Sequence, residues 1–203
     1  MYNQSVRDVM DNMLLNEKFD FSEHDYLEIA IISDTHSDID ESVIEFVKTC
    51  DIAIHAGDIG NMDVLKAMQP KTSHVIAVSG NNDKPYLWEV KDWHVVRNLP
   101  QTVQLKLPGG VLTIEHGHEH DMKKPCHDDL RNTHEQSRMI VYGHTHKQVI
   151  DDSHDSICVV NPGAAGYTRT HGGSACLKLI VDKASDDWKL EAFRFSEDEK
   201  LAS

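Results

Sequence analysis

The sequence predicts an α/β fold on three observations. Short apolar runs rich in β-branched residues recur at Ile29 to Ile32, Ile52 to Ile54, Val75 to Val78, Val111 to Ile114 and Met139 to Val141, and each ends in a polar cluster. Helical periodicity separates the first two runs, which makes a β-α-β unit with parallel pairing. From residue 94 onward strand runs crowd together, and Pro108-Gly109-Gly110 reads as a hairpin turn, so antiparallel strands enter there.

In chain order, Val6, Val9, Met10, Met13 and Leu14 fall at helical spacing and predict an amphipathic helical extension over residues 1–25. An apolar stripe of this kind packs on a domain or forms a partner-binding arm, which makes a homo-oligomer an expectation. After the first strand, Asp40 caps a helix through Val43, Ile44, Phe46 and Val47. Asn61 caps a second through Met62, Leu65 and Met68, ahead of Pro70. Later strand runs are Val95-Val96, Val103 to Leu107, Val149-Ile150, Ile157 to Val160, Cys176 to Val181 and Trp188 to Phe195. The main domain is placed at 26–183, with a last strand and charged tail over 184–203.

A chain of 203 residues with 39% hydrophobic content can bury one full core. Its 20 Lys and Arg stand against 34 Asp and Glu, a net charge of −14, which disfavours an extended nucleic-acid duplex as partner. Cys50, Cys126, Cys158 and Cys176 are too widely spaced for a zinc finger and suit free thiols in a reducing compartment. No run approaches about 18 apolar residues and the start is acidic, so a cytoplasmic protein without membrane contact is expected.

The polar clusters are Asp34-Thr35-His36, Gly57-Asp58, Gly80-Asn81-Asn82-Asp83, His116-Gly117-His118 and Gly143-His144-Thr145-His146. Taken singly, the first three read more readily as turns or caps. Paired histidines after buried strands are harder to explain as core, because an unpartnered buried imidazole costs about 1–3 kcal/mol. Strand carboxyl ends share one edge in an α/β sheet, so carboxylates, an amide oxygen and imidazoles would meet there, a mixed N/O set suited to divalent transition metals.

In order and spacing the series resembles the calcineurin-like metallophosphoesterase superfamily, within it the small bacterial and archaeal phosphodiesterase group, from about residue 28 to 181. Asn161-Pro162-Gly163 matches a further motif of that group. The resemblance implies a sandwich of two mixed β-sheets flanked by helices, with two divalent ions at the sheet edge. It places Asp34, His36, Asp58 and His146 on one ion and Asp58, Asn81, His116 and His144 on the other, Asp58 bridging. Manganese is the first expectation, with iron, zinc and nickel accepting the same ligands. The implied activity is hydrolysis of a small-molecule phosphoester, a phosphodiester first, by a metal-bridging hydroxide attacking phosphorus.

Two departures bear on the leaving-group side. Asn82 stands where many members carry a histidine that protonates the leaving group, which asparagine cannot do; His118 or a metal-bound water is the expected replacement. Ala164 stands where serine commonly follows the Asn-Pro-Gly. Residues 119–137 form a polar insertion from which Lys123, Lys124 or Arg131 would grip substrate. Two alternatives use the same scaffold: an assembly protein like the superfamily's retromer subunit, and a metal store or sensor.

Overall fold

The computed structural model describes residues 13–14, 18–153 and 157–195. Its framework begins with β1 (Met13–Leu14), β2 (Lys18–Asp20) and β3 (Tyr26–Ile32). Side chains alternate across β3: Ile29 and Ile31 enter one apolar cluster, while Ala30 and Ile32 enter another. Such a strand must be covered on both faces, and the chain supplies a second sheet on one side and helices on the other.

Helix α1 (Glu41–Lys48) leads to β4 (Ile52–His55), and α2 (Met62–Ala67) leads to β5 (His74–Ala77). Both predicted caps form. Asp40 accepts the Ser42 amide at 2.9 Å, and Asn61 Oδ1 accepts those of Asp63 and Val64 at 3.0 and 3.1 Å. Single 3₁₀ turns at Pro85–Leu87 and Val90–Asp92 precede α3 (Trp93–Val96). Then come β6 (Thr102–Leu107), β7 (Gly110–Glu115), α4 (His127–Thr133), β8 (Met139–Val141), β9 (Val149–Asp151) and β10 (Cys158–Asn161). The long hairpin β11 (Ser174–Asp182) and β12 (Asp187–Phe195) completes the described chain.

The strands form two mixed six-stranded sheets, ordered β1-β5-β4-β3-β11-β12 and β2-β6-β7-β8-β10-β9. β3, β4 and β5 run parallel, and β11 pairs antiparallel with both β3 and β12. In the second sheet β7, β8 and β10 run parallel, and β6-β7 is the predicted hairpin. Between the sheets lies a core of Leu27, Ile29, Ile31, Leu105, Ile114, Val160 and their neighbours. Val43, Val47, Val64 and Leu65 cover the outside of the first sheet, and Leu130 of α4 covers Ile140, Tyr142 and Val159 of the second.

Two expectations are corrected. The predicted amino-terminal helix included Met13 and Leu14, which instead pair in parallel with Val75 and Ile76 on β5; Lys18–Asp20 likewise joins β6. An open sheet edge offers backbone partners that outweigh a short helical periodicity. Val6, Val9 and Met10 lie outside the described residues. Val95-Val96, expected as a strand, closes α3: the Arg97 amide bonds to the Trp93 carbonyl at 3.1 Å, and both valines are buried in the apolar cluster that also takes in residues of α1 and α2.

Candidate metal centre

Asp34 follows β3, Asp58 follows β4, Asn81 follows β5, His116 follows β7, and His144 and His146 follow β8, so the two sheets deliver these residues to one edge. The turns are bound together by backbone. Asp34 N donates to Gly57 O at 3.0 Å and His36 N to Asp58 O at 3.0 Å. Asp34, His36, Asp58, His144 and His146 all adopt positive φ, between 48° and 69°. Non-glycine residues rarely take this left-handed conformation, and it stores backbone strain, here concentrated where side chains must turn inward.

All seven expected ligands meet. His146 Nε2 lies 3.5 Å from Asp34 Oδ1 and 3.1 Å from His36 Nε2, which is 3.7 Å from Asp58 Oδ2. His116 Nε2 lies 3.4 Å from Asp58 Oδ2 and 3.2 Å from Asn81 Oδ1; His144 Nδ1 lies 3.0 Å from the same Asn81 oxygen. Ligand atoms of Asp34, His36 and His146 all lie within 4.8 Å of one another, as do those of Asp34, Asp58 and His116.

The tautomers test whether the residues suit a cation. His116 Nδ1 lies 2.8 Å from Ala56 O and His144 Nε2 lies 2.9 Å from Met122 O. A carbonyl only accepts, so each of these nitrogens carries its ring's proton. In a neutral ring the other nitrogen then presents a lone pair to Asp58 or Asn81 oxygen. Acceptor faces acceptor unless a cation stands between them.

In the metal-free protein a proton fills that role at His116. Burial alone would lower its pKa, but the Asp58 hydrogen bond and the Asp34 and Asp58 charges outweigh it and raise the ring to about 9. Burial pushes Asp34 up to about 7 despite His116 and the Ser33 hydroxyl. Burial works upward on Asp58 too, but the bonds and charge of His116, joined by Asn82, hold it well below the usual carboxylate range. Burial, reinforced by the Arg169 charge, lowers His146 to about 4, and burial also lowers His36.

The remaining sequence-predicted residues divide. His118 stands beside the cluster, its ring centroid 5.4 Å from that of His116, with Nδ1 buried and unpartnered and its pKa lowered by burial and by His116. Asn82, expected on the leaving-group side, instead gives its backbone amide to Asp58 Oδ1 at 2.8 Å and its side-chain amide to Oδ2 at 2.7 Å. Arg131, expected as a substrate grip, is engaged by groups of the fold. Its buried guanidinium reaches Asp151 at 2.9 Å, Asp128 at 3.1 Å and the Ile157 carbonyl at 3.0 Å, tying α4 to β9 and β10. Lys124 lines a hollow of about 450 Å³ with Arg131 and Asp151, and the Lys123 and Lys124 amides bond to Asp121.

Sequence reasoning missed three contributors. Arg169, in the loop after Asn161-Pro162-Gly163, places Nη2 2.5 Å from His36 Nε2 and sets a cation at the rim. Ser33 donates to Asp34 Oδ2 at 2.7 Å. Asp83, quoted only as part of its cluster, accepts the amides of Ile59 at 3.1 Å, Gly60 at 3.0 Å and Gly80 at 2.9 Å, which fixes the Asp58 and Asn81 turns to each other. An acid closing the third cluster was the one available signal. Asn161, read from its motif, braces the last turn: its amide donates to Gly143 O and its Oδ1 accepts the Gly163 amide at 2.9 Å.

The chain belongs to the calcineurin-like phosphoesterase superfamily, whose domain model matches residues 27–183. It is similar to a phosphodiesterase of Methanocaldococcus jannaschii, 27% identical over 70% of this chain and 86% of that protein. A probable metallophosphoesterase of the same organism is 30% identical over 81% of this chain and 78% of its own length. Solved structures share the fold. Vacuolar protein sorting 29 of Cryptosporidium parvum superposes with a TM-score of 0.60 at 15% identity, over 86% of this chain and all (100%) of its own. A predicted phosphoesterase of Streptococcus pneumoniae reaches 0.55 at 20% identity, over 83% and 90%. Among the described residues no helix is long and apolar enough to cross a membrane.

Proposed function

We propose that this chain is a metal-dependent phosphoric ester hydrolase that cleaves a small-molecule phosphodiester in the cytoplasm, using two divalent ions, manganese first and iron, zinc or nickel as alternatives. The observation that carries the reading is the pair of imidazoles at His116 and His144, each of which, when neutral, turns a lone pair onto an Asp58 or Asn81 oxygen. Asp34, His36 and His146 would hold one ion, Asn81, His116 and His144 the other, and Asp58 would reach both. When bound, two such ions act as Lewis acids on phosphoryl oxygens and acidify a water toward neutrality.

The chain's own groups do the rest. Asn82 and the Asp83-braced turn hold the Asp58 carboxylate in one orientation. Arg169 offers a positive rim that draws a phosphate anion toward His36. Two divalent ions, two aspartates and one hydroxide sum to a charge of about +1, which complements the single negative charge of a diester. His118, whose Nε2 lies 3.1 Å from Glu119 Oε1, stands beside His116 and in its imidazolium form would give a proton to the departing alkoxide.

Similarity in fold to vacuolar protein sorting 29 supports a second reading, a non-catalytic assembly protein. The complete donor set weighs against it. The deciding experiment compares a chromogenic phosphodiester with the matching phosphomonoester under manganese supplementation. Turnover of the diester is expected, lost by at least about 100-fold in Asp58→Asn and His116→Ala. Bound metal with no turnover of either ester would overturn the enzyme reading.

A further inference from the structure

A second constellation of metal-ligating groups lies on the opposite face of β7. Glu115 and His116 are adjacent, and side chains alternate along a strand, so His116 faces Asp58 while Glu115 faces α4. Glu115 Oε2 lies 2.6 Å from His134 Nε2, at the carboxyl end of α4. Its other oxygen, Oε1, lies 3.1 Å from His120 Nε2. The three ligand atoms all fall within 4.8 Å of one another, and the side chains of Glu115, His120 and His134 are 9%, 14% and 10% exposed. None of the three belongs to the first centre.

We propose that Glu115, His120 and His134 form a separate mononuclear site for a divalent transition ion, of which Zn²⁺ is the best match. Two imidazoles and one carboxylate leave a fourth tetrahedral position for water, a frequent zinc arrangement. Bonds of about 2.0–2.1 Å at tetrahedral angles set neighbouring donors about 3.3 Å apart. The 3.1 Å contact already matches that separation, and the 2.6 Å contact needs to open by well under 1 Å. Without the ion, the same atoms are held by hydrogen bonds across the carboxylate, so the site is assembled in advance.

The placement gives the ion a consequence. His120 sits in the segment that crosses to α4, two residues before Met122, whose carbonyl fixes the His144 ring at 2.9 Å. An ion joining Glu115, His120 and His134 would tie the start of that crossing to the carboxyl end of α4 and hold Met122 over the first centre. It would therefore order the cover of the first centre without itself touching a phosphoester.

The test counts ions rather than turnover, so it stands or falls apart from the hydrolase reading. In full-length protein whose first centre is disabled by Asp34→Asn, Asp58→Asn and His146→Ala, calorimetric titration with Zn²⁺ should find one tight equivalent. Adding His120→Ala and His134→Ala should remove it. No tight equivalent in the folded first-centre variant overturns the proposal, as does one that survives loss of both histidines. If the multiple variants fail to fold, crystals of the unmutated chain soaked in Zn²⁺ decide. Anomalous density bounded by Glu115, His120 and His134 supports the site, and its absence beside a loaded first centre overturns it.

Discussion

Five of the expected ligands take left-handed backbone, and this explains how side chains from separate strands converge. The strain is held by neighbours: Asp83 by three amides, Asn161 by Gly143 and Gly163, and Asn82 by Asp58. Asn82 gives the sharpest test. Its side-chain amide fixes the Asp58 oxygen nearest His36 and His116. Removing such an outer partner typically costs 10–100-fold in metal affinity. Asn82→Ala should therefore raise the manganese concentration for half-maximal activity at least about ten-fold with little change in melting temperature. An unchanged metal requirement would return Asn82 to the leaving-group side. At this scale the sequence was legible in residue type and order, because ligand chemistry demands Asp, Asn and His. It was silent on φ and on Arg169, since the Arg169–His36 contact spans 133 positions and no local pattern marks it.

The elements that carry the site are the ones whose pattern was strongest. β3, β4 and β5 are β-branched runs buried on both faces, and their intervening helices announce themselves by caps and periodicity. The misread elements are short and depend on distant partners: β1 exists by pairing with β5, and α3 is one turn stabilised by burial of Val95 and Val96. Asp40 shows how an element is tied to the site's far side. It caps α1 through the Ser42 amide and also accepts the buried Ser174 hydroxyl at 2.6 Å, linking α1 to the start of β11. Losing a cap costs about 0.5–2 kcal/mol, and leaving the Ser174 hydroxyl with only the Gly166 carbonyl at 2.9 Å adds about 0.5–1.5 kcal/mol. Asp40→Ala should lower unfolding stability by about 1–3 kcal/mol in urea titration, and Asp40→Asn, an equally good cap, by much less. Equal losses in the two variants would assign the effect to the carboxylate charge instead.

For the whole molecule the metal and the proton compete, and the direction follows from the shifts. His116 holds its proton to about pH 9 in the folded, metal-free protein, against about 6.5 unfolded. Between those values the folded state binds more protons, so stability is full below pH 6.5 and is lost as pH rises toward 9, with a limiting slope of about 1.4 kcal/mol per pH unit. Asp34, raised to about 7, acts in the same sense below pH 7. His55 and His146, lowered to about 3 and about 4 chiefly by burial, oppose it only below their unfolded value near 6.5. The window from pH 7 to 8 therefore reads chiefly on His116, since above it the Cys50, Cys158 and Cys176 thiols, pushed up by burial, add a loss of the same sign. A bound divalent ion replaces that proton, so the metal-loaded protein escapes the loss and stabilisation by metal grows with pH. Urea midpoints measured in chelator should fall from pH 7 to 8 while those in saturating manganese stay level. Calorimetry in buffers of different ionisation enthalpy should record release at pH 7 of about one proton from His116 and about half of one from Asp34, with ionisation of a metal-bound water adding to these. A metal-free midpoint that holds steady or climbs across this window would mean that His116 is neutral in the empty site, and that its lone pair faces Asp58 without a cation.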